Sequence, residues 1–587
     1  MRYSLAALLL IAGSPAAATV DYAIDLTSPE HHSSMVTATF PTTSAAFLDV
    51  RMPAWRTGRY SILNLANGVS DFVAMDGNGR PLRWQKIDKS TWRVHLDRPA
   101  AVNVRYALYG NELGYRSRHI DDSHAYLDAS AVLMYAEPYR GDDVRVSLKV
   151  PSGWQSFSGM ESAGPHRFVA PNWDQLVDSP IETGINTSRR FKVGAQEYEL
   201  VVWGKGPYDI DKMASDLGRI AGAVPAYWPT YPFKRYVWMV HATSGAGGAT
   251  EHRNSTVIQL PRAMFGDADG YRRFIATAAH EFVHTWNVKA YRNAAMVPYD
   301  YQKENYTNLL WVEEGSTEYF SWPLLLRAGL VTPAEYFDEL SGLIDGNQHR
   351  PGRTVQSVAQ ASWDEWISPA DAERSQNAWV NIYSEGQIVS WMLDLALLQQ
   401  TGGRVSYRDV HRVLYERFPS DRRGFTDADM LAVLQELTGQ SWVPWWARHV
   451  TAPVTADFNA LLNPVGLQLT YPDGPKAWAG WSGKAAERGI ALALVERDSP
   501  AWVAGLGAGD TLVAIDGKPV GKIEDLLAGR KPGDVVTVSY LRRDETMEKR
   551  VTLGTTRGAP KVVPVTAPTA AQKALFERWL LVPYPKA

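Results

Sequence analysis

The pentapeptide His280-Glu281-Phe282-Val283-His284 constrains this chain more than any other feature. It lies in YRRFIATAAHEFVHTWNV, a segment whose apolar residues recur with helical periodicity. A spacing of four residues puts both imidazoles on one helix face, one turn apart, so that one metal ion can take a nitrogen from each. Glu281 follows His280 directly and can act on a water molecule at such a metal without competing as a ligand. The pentapeptide therefore predicts a helix that carries a metal ion and a general base.

A zinc site needs a third protein ligand and an open position for water or substrate. The next predicted helix offers two adjacent candidates, Glu313 and Glu314, in WVEEGSTEYF. Helical periodicity permits either and does not choose between them. Glu318 lies one turn beyond Glu314, where it can hydrogen-bond the distal nitrogen of a zinc-binding histidine or remain a surface carboxylate. The chain has no cysteine, so histidines and carboxylates are the available ligands.

The length of the sequence, and the change in its pattern of apolar and polar residues along the chain, indicate several domains. A chain of 587 residues exceeds what one hydrophobic core usually supports. Short alternating apolar runs separated by Gly, Pro, Asn and Asp predict a β-rich N-terminal domain over residues 19–195. Strands such as RYVWMVHA then precede long helical segments, which predicts a mixed catalytic domain over 196–464. The expected fold class is multidomain α+β.

Strands return after residue 464. The run SPAWVAGLGAGDTLVAIDG, followed by a short helix and the turn RKPGD, resembles a PDZ domain of the bacterial envelope-protease type, placed at 470–558. In a PDZ domain an extended peptide or a protein C-terminus can add as a strand, here between the Gly489–Val495 strand and the helix near 523–527. The alternative is a structural clamp on the catalytic domain. The C-terminal tail, residues 559–587, contains an amphipathic stretch that we expect to pack against the rest of the protein.

The first residues predict export. They contain one Arg, an apolar run between residues 5 and 12, and small residues ending at Ala18, as in a secretory signal peptide cleaved after Ala18. The apolar run is much shorter than the roughly 20 residues that span a bilayer, and no later segment is apolar for long enough. We therefore expect a mature chain without a membrane span, in a periplasm or outside the cell. Lys and Arg (60) nearly balance Asp and Glu (63), without a basic stretch near the aromatics, which argues against a nucleic-acid partner.

Several motifs in order resemble one known family. HEFVHTWNVK followed by WVEEGSTEYF is similar to the glycyl-aminopeptidase family of gluzincin zinc metallopeptidases, relatives of the leukotriene A4 hydrolase and aminopeptidase N group. The resemblance extends to MPAWRTGRYSI in the β domain, to GGATEHRNST, and to the PDZ module. It implies a thermolysin-like catalytic domain, one zinc ion per chain and peptide substrates. In these enzymes the Glu immediately before Gly is the third ligand, which maps onto Glu314 beside His280 and His284.

The resemblance also implies a transition-state tyrosine. Tyr383, in NIYSEG, matches the position of that residue in the wider aminopeptidase group, where its hydroxyl helps to hold the oxyanion. The alternative is a tyrosine of the core. This sequence has Glu385 where the group usually has Lys, which changes the neighbouring charge but leaves the alignment of Tyr383 intact.

A third implied element is an anchor for the free amine of a substrate. The segment from Gly247 and Gly248 to Glu251 is similar to the family's Gly-Gly-x-Glu-His segment with one extra residue. The carboxylate of Glu251 is the candidate partner of the substrate ammonium, and the glycines let the two backbones approach closely. The alternative is a plain strand and turn.

The expected function is zinc-dependent removal of small N-terminal residues, Gly or Ala, from peptides. The alternatives are a zinc endopeptidase whose substrates the PDZ domain recruits, and a catalytically inactive peptide-binding protein. Lys289 and Arg292 are expected to be solvated charges at the end of the zinc helix. His119 and His124, in RSRHIDDSHAYLD, form a polar cluster that suggests a second metal site as an alternative to a plain polar cluster, although their spacing fits no metal-ligand pattern.

Overall fold

A computed structural model of the protein describes residues 19–585. The predicted signal peptide, residues 1–18, lies outside the described residues. Within the described range, none of the helices combines the length and apolarity that a membrane crossing requires.

The N-terminal domain is β-rich, as predicted. Its largest sheet has seven strands in the order β12-β13-β10-β1-β2-β7-β4, and two smaller sheets have the orders β11-β14-β9-β8 and β3-β6-β5. Alternate residues of β2, such as Val36, Ala38 and Phe40, are buried in its core. The strands are β1 (Thr19–Asp25), β2 (Ser33–Thr43), β3 (Phe47–Arg51), β4 (Val69–Asp76), β5 (Trp84–Lys86), β6 (Thr91–His95), β7 (Ala100–Tyr109), β8 (Arg118–Ile120), β9 (His124–Leu127), β10 (Asp143–Lys149), β11 (Gln155–Ser158), β12 (Glu161–Ser162), β13 (Arg167–Ala170) and β14 (Ile181–Gly184), with helices α1 (Ala129–Val132) and α2 (Trp173–Val177).

The catalytic region begins with a five-stranded sheet in the order β15-β16-β17-β19-β18. Strands β16, β17 and β19 are parallel, and β18 pairs antiparallel with β19 at the edge. Its strands are β15 (Thr187–Val193), β16 (Gln196–Trp203), β17 (Arg235–Thr243), β18 (Gly248–His252) and β19 (Ser255–Pro261). The helices are α3 (Ile210–Ala223), α4 (Ala268–Val283), α5 (Ser316–Arg327), α6 (Pro333–Gln348), α7 (Val358–Asp364), α8 (Ala372–Asn377), α9 (Ser384–Gln400), α10 (Tyr407–Arg417), α11 (Asp427–Thr438), α12 (Val443–His449) and α13 (Phe458–Leu462). The predicted mixed α+β architecture is confirmed.

The C-terminal region folds back on the catalytic core. Strands β20 (Leu467–Thr470) and β29 (Lys561–Pro564) pair with each other and enclose the PDZ-like module between them. The last helix buries Phe576, Trp579 and Leu580 in the catalytic core, as its amphipathic pattern predicts. The other elements are β21 (Lys476–Trp478), β22 (Trp481–Ala486), β23 (Gly489–Val495), β24 (Thr511–Ile515), β25 (Lys518–Pro519), β26 (Val535–Arg542), β27 (Glu545–Thr552) and β28 (Gly554–Thr556), with α14 (Pro500–Val503) and α15 (Ala570–Leu580).

The predicted peptide groove of the PDZ-like module is wrong in two details. Strand β23 is not an edge, because it pairs with β22 along its length and with β24 through Ile490 and Ala491. The edge strand is β22, whose residues are mostly exposed, and only a 3-10 turn at Ile523–Asp525 stands where a helix was predicted. The apolar strand β23 lies inside the sheet, with β22 on one side and β24 on the other. The more polar strand β22 lies at the edge, where most of its residues are exposed to water.

Two hydrogen bonds of Asn377 help to fix the module on the catalytic region. The side chain of Asn377, at the end of α8, donates to the carbonyl oxygen of Val495 (2.8 Å) and accepts from the backbone nitrogen of Arg497 (2.8 Å). Asn377 is buried in this position. The module therefore packs in cis on the catalytic region through β23.

A buried polar cluster joins the N-terminal domain to the catalytic sheet. Nδ1 of His124 lies 3.1 Å from Glu182, whose other oxygen lies 2.9 Å from Nε2 of His241 on β17. The His124 ring stacks on Trp203 with centroids 3.5 Å apart. Donor atoms of His124, Glu182 and His241 lie within 4.8 Å of one another, as do those of His119, Asp121 and His124. The sequence had placed His119 and His124 in one polar cluster, but it did not reveal the grouping with Glu182 and His241, because these residues lie on separate strands far apart in the chain.

Candidate active site

Helix α4 positions the two motif histidines. The helix begins after Asp267, whose side chain accepts from the backbone nitrogen of Gly270 (2.6 Å) and so caps the first turn. Its apolar face, which includes Phe274, Ala278 and Phe282, is buried in the catalytic core. His280 and Glu281 therefore lie in the last turn, held by the packing of the preceding turns.

The nitrogen atoms of the two histidines converge on one carboxylate. Nε2 of His280 lies 3.0 Å from Nε2 of His284, and Oε2 of Glu314 lies 3.3 Å from the latter and 3.8 Å from the former. Four ligands at about 2.0–2.1 Å in tetrahedral array stand about 3.3 Å apart. The donor set therefore fits a zinc ion, with one position left for water or substrate.

A π-helical turn, Trp311–Gly315, brings Glu314 to the histidines. Such turns insert an extra residue into a helix and occur at functional sites. Gly315 packs against the start of α9, where a Cβ atom on it would overlap Gly386 and lie 2.8 Å from the backbone nitrogen of Gln387. The absence of a side chain at Gly315 thus lets α9, and Tyr383 before it, approach the site.

Contacts behind the donor atoms orient them. Nδ1 of His284 lies 2.9 Å from the carbonyl oxygen of Asn287, which fixes the proton on Nδ1 and leaves Nε2 free as a ligand. Nδ1 of His280 lies 2.7 Å from Oε2 of Glu318. The hydroxyl of Tyr60 donates to Oε1 of Glu314 (2.7 Å).

The structure separates the two rival glutamates. Glu313 is buried and points away from the histidines, where Oε1 accepts from the backbone nitrogen (2.9 Å) and the side-chain amide of Asn293. Burial raises its pKa to about 7. Burial also opposes ionisation of Glu314, but the nearby imidazoles of His284 and His280 outweigh that effect and leave the pKa of Glu314 below its ordinary value. Glu314 is therefore suited to bind a cation.

Glu281 has the properties of a proton acceptor. Its side chain is buried, and Oε2 has no hydrogen-bond partner within residues 19–585. Burial raises the pKa of Glu281 to about 7 against the opposing effect of the two imidazoles. A base whose pKa lies near neutrality is effective in proton transfer.

Tyr383 borders the site at the start of α9. Its ring centroid lies 6.1 Å from that of His280. Glu385 points away from the histidines and accepts from the side-chain amide of Asn347 (2.9 Å) on α6. The substitution of Glu for the usual Lys therefore changes a buried contact between helices, while Tyr383 stays beside the site.

The edge strand β18 carries Glu251 at the site. Lys289 lies 3.7 Å from a carboxylate oxygen of Glu251 and only 2.8 Å from Asp178. Because Asp178 is the nearer partner, it neutralises most of the ammonium charge and leaves the Glu251 charge available. Gly248 begins the strand with a φ of 98°, which favours glycine, and Gly247 precedes it.

The expectation for Lys289 and Arg292 is wrong. Lys289 is only 2% exposed, and Arg292 donates to the carbonyl oxygen of Met296 (2.8 Å) and lies 4.1 Å from the Tyr299 ring centroid. The chain turns back after α4, so these cations face the body of the protein. Sequence position at a helix end does not show that turn.

Sequence reasoning assigned no role to individual residues of the loop before Tyr60. The segment MPAWRTGRYSI supplies Tyr60, whose hydroxyl donates a hydrogen bond to Glu314. A methyl group added at Gly58, in the same segment, would overlap the carboxylate of Glu251. The loop of the N-terminal domain is therefore one wall of the site. The family resemblance of this motif was the available signal, but no local pattern indicated its position.

The chain matches three family models. Residues 21–185 match the Peptidase M61 N-terminal domain, residues 273–389 match the M61 glycyl aminopeptidase, and residues 476–553 match the PDZ domain. These matches confirm the resemblance to the M61 glycyl aminopeptidase family that the motifs indicate. The chain is accordingly a metallopeptidase.

A solved structure shares the fold of this chain over nearly its whole length. An aminopeptidase N family protein from Idiomarina loihiensis is 24% identical with a TM-score of 0.88, over 96% of this chain and 100% of the other. A variant of an M1 zinc metallopeptidase from Deinococcus radiodurans, bound to Tyr-Ser-Ala, is 13% identical with a TM-score of 0.49, over 75% and 95%. Yeast LTA4 hydrolase with bestatin is 14% identical with a TM-score of 0.48, over 77% and 70%. The comparison with curated proteins gave no match.

Proposed function

We propose that this metallopeptidase is a zinc-dependent aminopeptidase that removes small N-terminal residues, Gly or Ala, from peptides. The observation that carries the proposal is the presence of two carboxylates with separate tasks beside one donor set. Glu281 stands next to a metal-binding histidine, and Glu251 stands at the end of an edge strand that can pair with substrate backbone. The preference for small residues follows the family.

His280, His284 and Glu314 would hold one zinc ion, which would polarise the scissile carbonyl and acidify a water molecule. Glu281 accepts a proton from the attacking water and then passes it to the leaving amine. The Tyr383 hydroxyl donates a hydrogen bond to the carbonyl oxygen as negative charge develops there.

Glu251 binds the free ammonium of the substrate by a charge-assisted hydrogen bond. That contact fixes the register of the peptide on β18, so that the bond after the first residue lies at Glu281. A blocked amine cannot make the contact, because it carries no charge and fewer donors.

Hydrolysis of Ala-Ala-Ala and of its N-acetylated form tests the exopeptidase proposal. We expect release of free Ala from the first peptide only, detected by mass spectrometry. Glu251→Gln should lower kcat/KM on the free peptide about 10- to 100-fold, because a bond to a charged group is lost. Equal cleavage of both peptides, or cleavage within longer acetylated peptides, would show an endopeptidase instead.

Glu281→Gln tests the catalytic base. Loss of proton transfer should lower kcat by about 10²- to 10⁴-fold while the metal content is unchanged, since Glu281 is not a ligand in this arrangement. Glu416→Gln is the matched control, because Glu416 is an exposed helical glutamate on α10. An undiminished rate in Glu281→Gln would mean that this mechanism is wrong and would favour another base.

We also propose that the chain is exported, on the evidence of residues 1–18 alone. N-terminal sequencing of the mature protein from its native host should begin at Thr19. A mature chain that retains Met1 would contradict export by this signal.

A further inference from the structure

Three arginines beside the site, Arg56, Arg59 and Arg116, have no acidic partner in the part of the chain that the structure describes. Arg56 and Arg116 donate only to neutral oxygens: Arg56 to the carbonyls of Tyr115 (3.2 Å) and Thr57 (2.9 Å), and Arg116 to the carbonyl of Gly247 and the hydroxyl of Thr250. Nη2 of Arg56 and Nε of Arg59 are buried without an acceptor among the described residues. Within residues 19–585, none of the three guanidinium groups forms an ion pair with a carboxylate.

Unpaired charge of this kind is unfavourable, since a buried cation loses hydration and hydrogen bonds to neutral oxygens do not neutralise its charge. Burial, with repulsion from Arg56, lowers the pKa of Arg116 to about 10 and lowers that of Arg59 as well. Two other sheltered arginines of the same domain do have a carboxylate partner, Arg118 with Glu112 (3.3 Å) and Arg140 with Asp174 (2.7 Å). The cluster beside the site is therefore prepared for an anion from outside.

The contacts of Arg116 at β18 indicate how many residues of a substrate can lie between Arg116 and Glu251, the proposed partner of the substrate amine. Arg116 bonds to Gly247 and Thr250, which lie four and one residues before Glu251 on the edge of the sheet. A paired peptide advances about 3.3 Å per residue, so the second or third residue of a substrate reaches Arg116. By capping the carbonyl of Gly247, Arg116 also limits how far a longer peptide can extend along this edge.

We infer that Arg59 and Arg116 bind the C-terminal carboxylate of a di- or tripeptide whose amine is held at Glu251, with Arg56 adding positive charge behind them. This inference rests on the proposed aminopeptidase function and names its substrate class. Arg56 is fully buried and acts as a positioning residue, whereas Arg59 and Arg116 are only partly buried. Guanidinium groups match a carboxylate in shape and charge and can bind it with two parallel hydrogen bonds.

The test compares Ala-Ala with its C-terminal amide, Ala-Ala-NH2, as substrates of the full chain loaded with zinc. We expect kcat/KM to be about 10- to 100-fold lower for the amide, the range for a lost charge-assisted contact. Arg116→Gln and Arg59→Gln should each lower kcat/KM for Ala-Ala and leave that for the amide nearly unchanged. Arg116→Lys should restore part of the difference, because it keeps the charge without the planar fork.

Arg105→Gln is the control, because Arg105 is an exposed arginine on β7 of the same domain. Thermal unfolding of each variant shows whether it folds, and Arg59→Gln carries the test if Arg116→Gln does not. Equal kcat/KM for Ala-Ala and its amide in the wild type would overturn the inference and leave the aminopeptidase intact. Failure to cleave either substrate would refute the proposed function and the inference with it.

Discussion

Gly315→Ala tests whether the approach of the π-helical turn to α9 builds the site. The new Cβ atom would overlap the backbone of Gly386 and stand 2.8 Å from the backbone nitrogen of Gln387. Carbon needs about 3.5 Å, and both contacts are backbone, so the turn and α9 must move apart by roughly 1 Å. Overpacking of this kind costs about 1–3 kcal/mol.

The same movement should damage catalysis, because it separates Glu314 on one side from Tyr383 on the other. A misplacement of about 1 Å can lower a rate about 10²-fold. We therefore expect kcat on Ala-Ala to fall by about that factor, with a free energy of unfolding in urea that is lower by about 1–3 kcal/mol.

Gly222→Ala is the matched control for this variant. Gly222 also lies in a helix, α3, but a Cβ atom there would meet only Val193 at an ordinary 3.8 Å. Alanine at that position should stabilise the helix by about 0.5–1 kcal/mol and leave the rate unchanged. If Gly315→Ala keeps wild-type stability and activity, the close approach does not determine the geometry of the site.

Three further predictions concern the metal and the buried charges. Dialysis against a chelator should abolish hydrolysis, and about one equivalent of zinc should restore it; activity that survives complete metal removal would contradict the proposed centre. Glu318→Gln should weaken zinc binding about 10- to 100-fold in competition with a chromogenic chelator, because His280 loses its orienting partner, whereas unchanged affinity would make Glu318 dispensable. Lys289→Met should cost about 3 kcal/mol of unfolding free energy, since it removes the cation nearest to the Asp178 carboxylate and leaves the contacts with His252 and the backbone of Arg253, while Lys303→Met, which breaks an exposed pair, should cost less than about 1 kcal/mol.

The ion pair between Lys289 and Asp178 should also make the free energy of unfolding depend on pH. Burial alone would raise the pKa of Asp178, but Lys289 and His252 hold that pKa well below its usual value. Because the folded pKa is depressed, the stabilisation is present above about pH 4 and is lost as the pH falls below it. Urea unfolding of the wild type between pH 6 and pH 3 should show this loss, and Lys289→Met should show a smaller one.

The sequence by itself determined the local parts of this protein. The spacing of His280 and His284 fixes their relation because a helix has one pitch, and the same rule placed Glu318 one turn from Glu314. Domain order and the β-rich character of the first domain also followed from periodicity and turn residues, which act over a few residues. The predicted strand Gly489–Val495 exists, since its apolar run is a local signal.

Only the tertiary structure decided which of these parts meet. The π-helical turn turned Glu314 toward the histidines and Glu313 toward Asn293, a choice that regular helical periodicity cannot make. The burial of Lys289 and the cluster of Arg56 and Arg116 arise where the N-terminal domain closes on the catalytic region. Their partners lie far away in the chain, and the energy of a charge depends on its surroundings in space rather than on its neighbours in sequence.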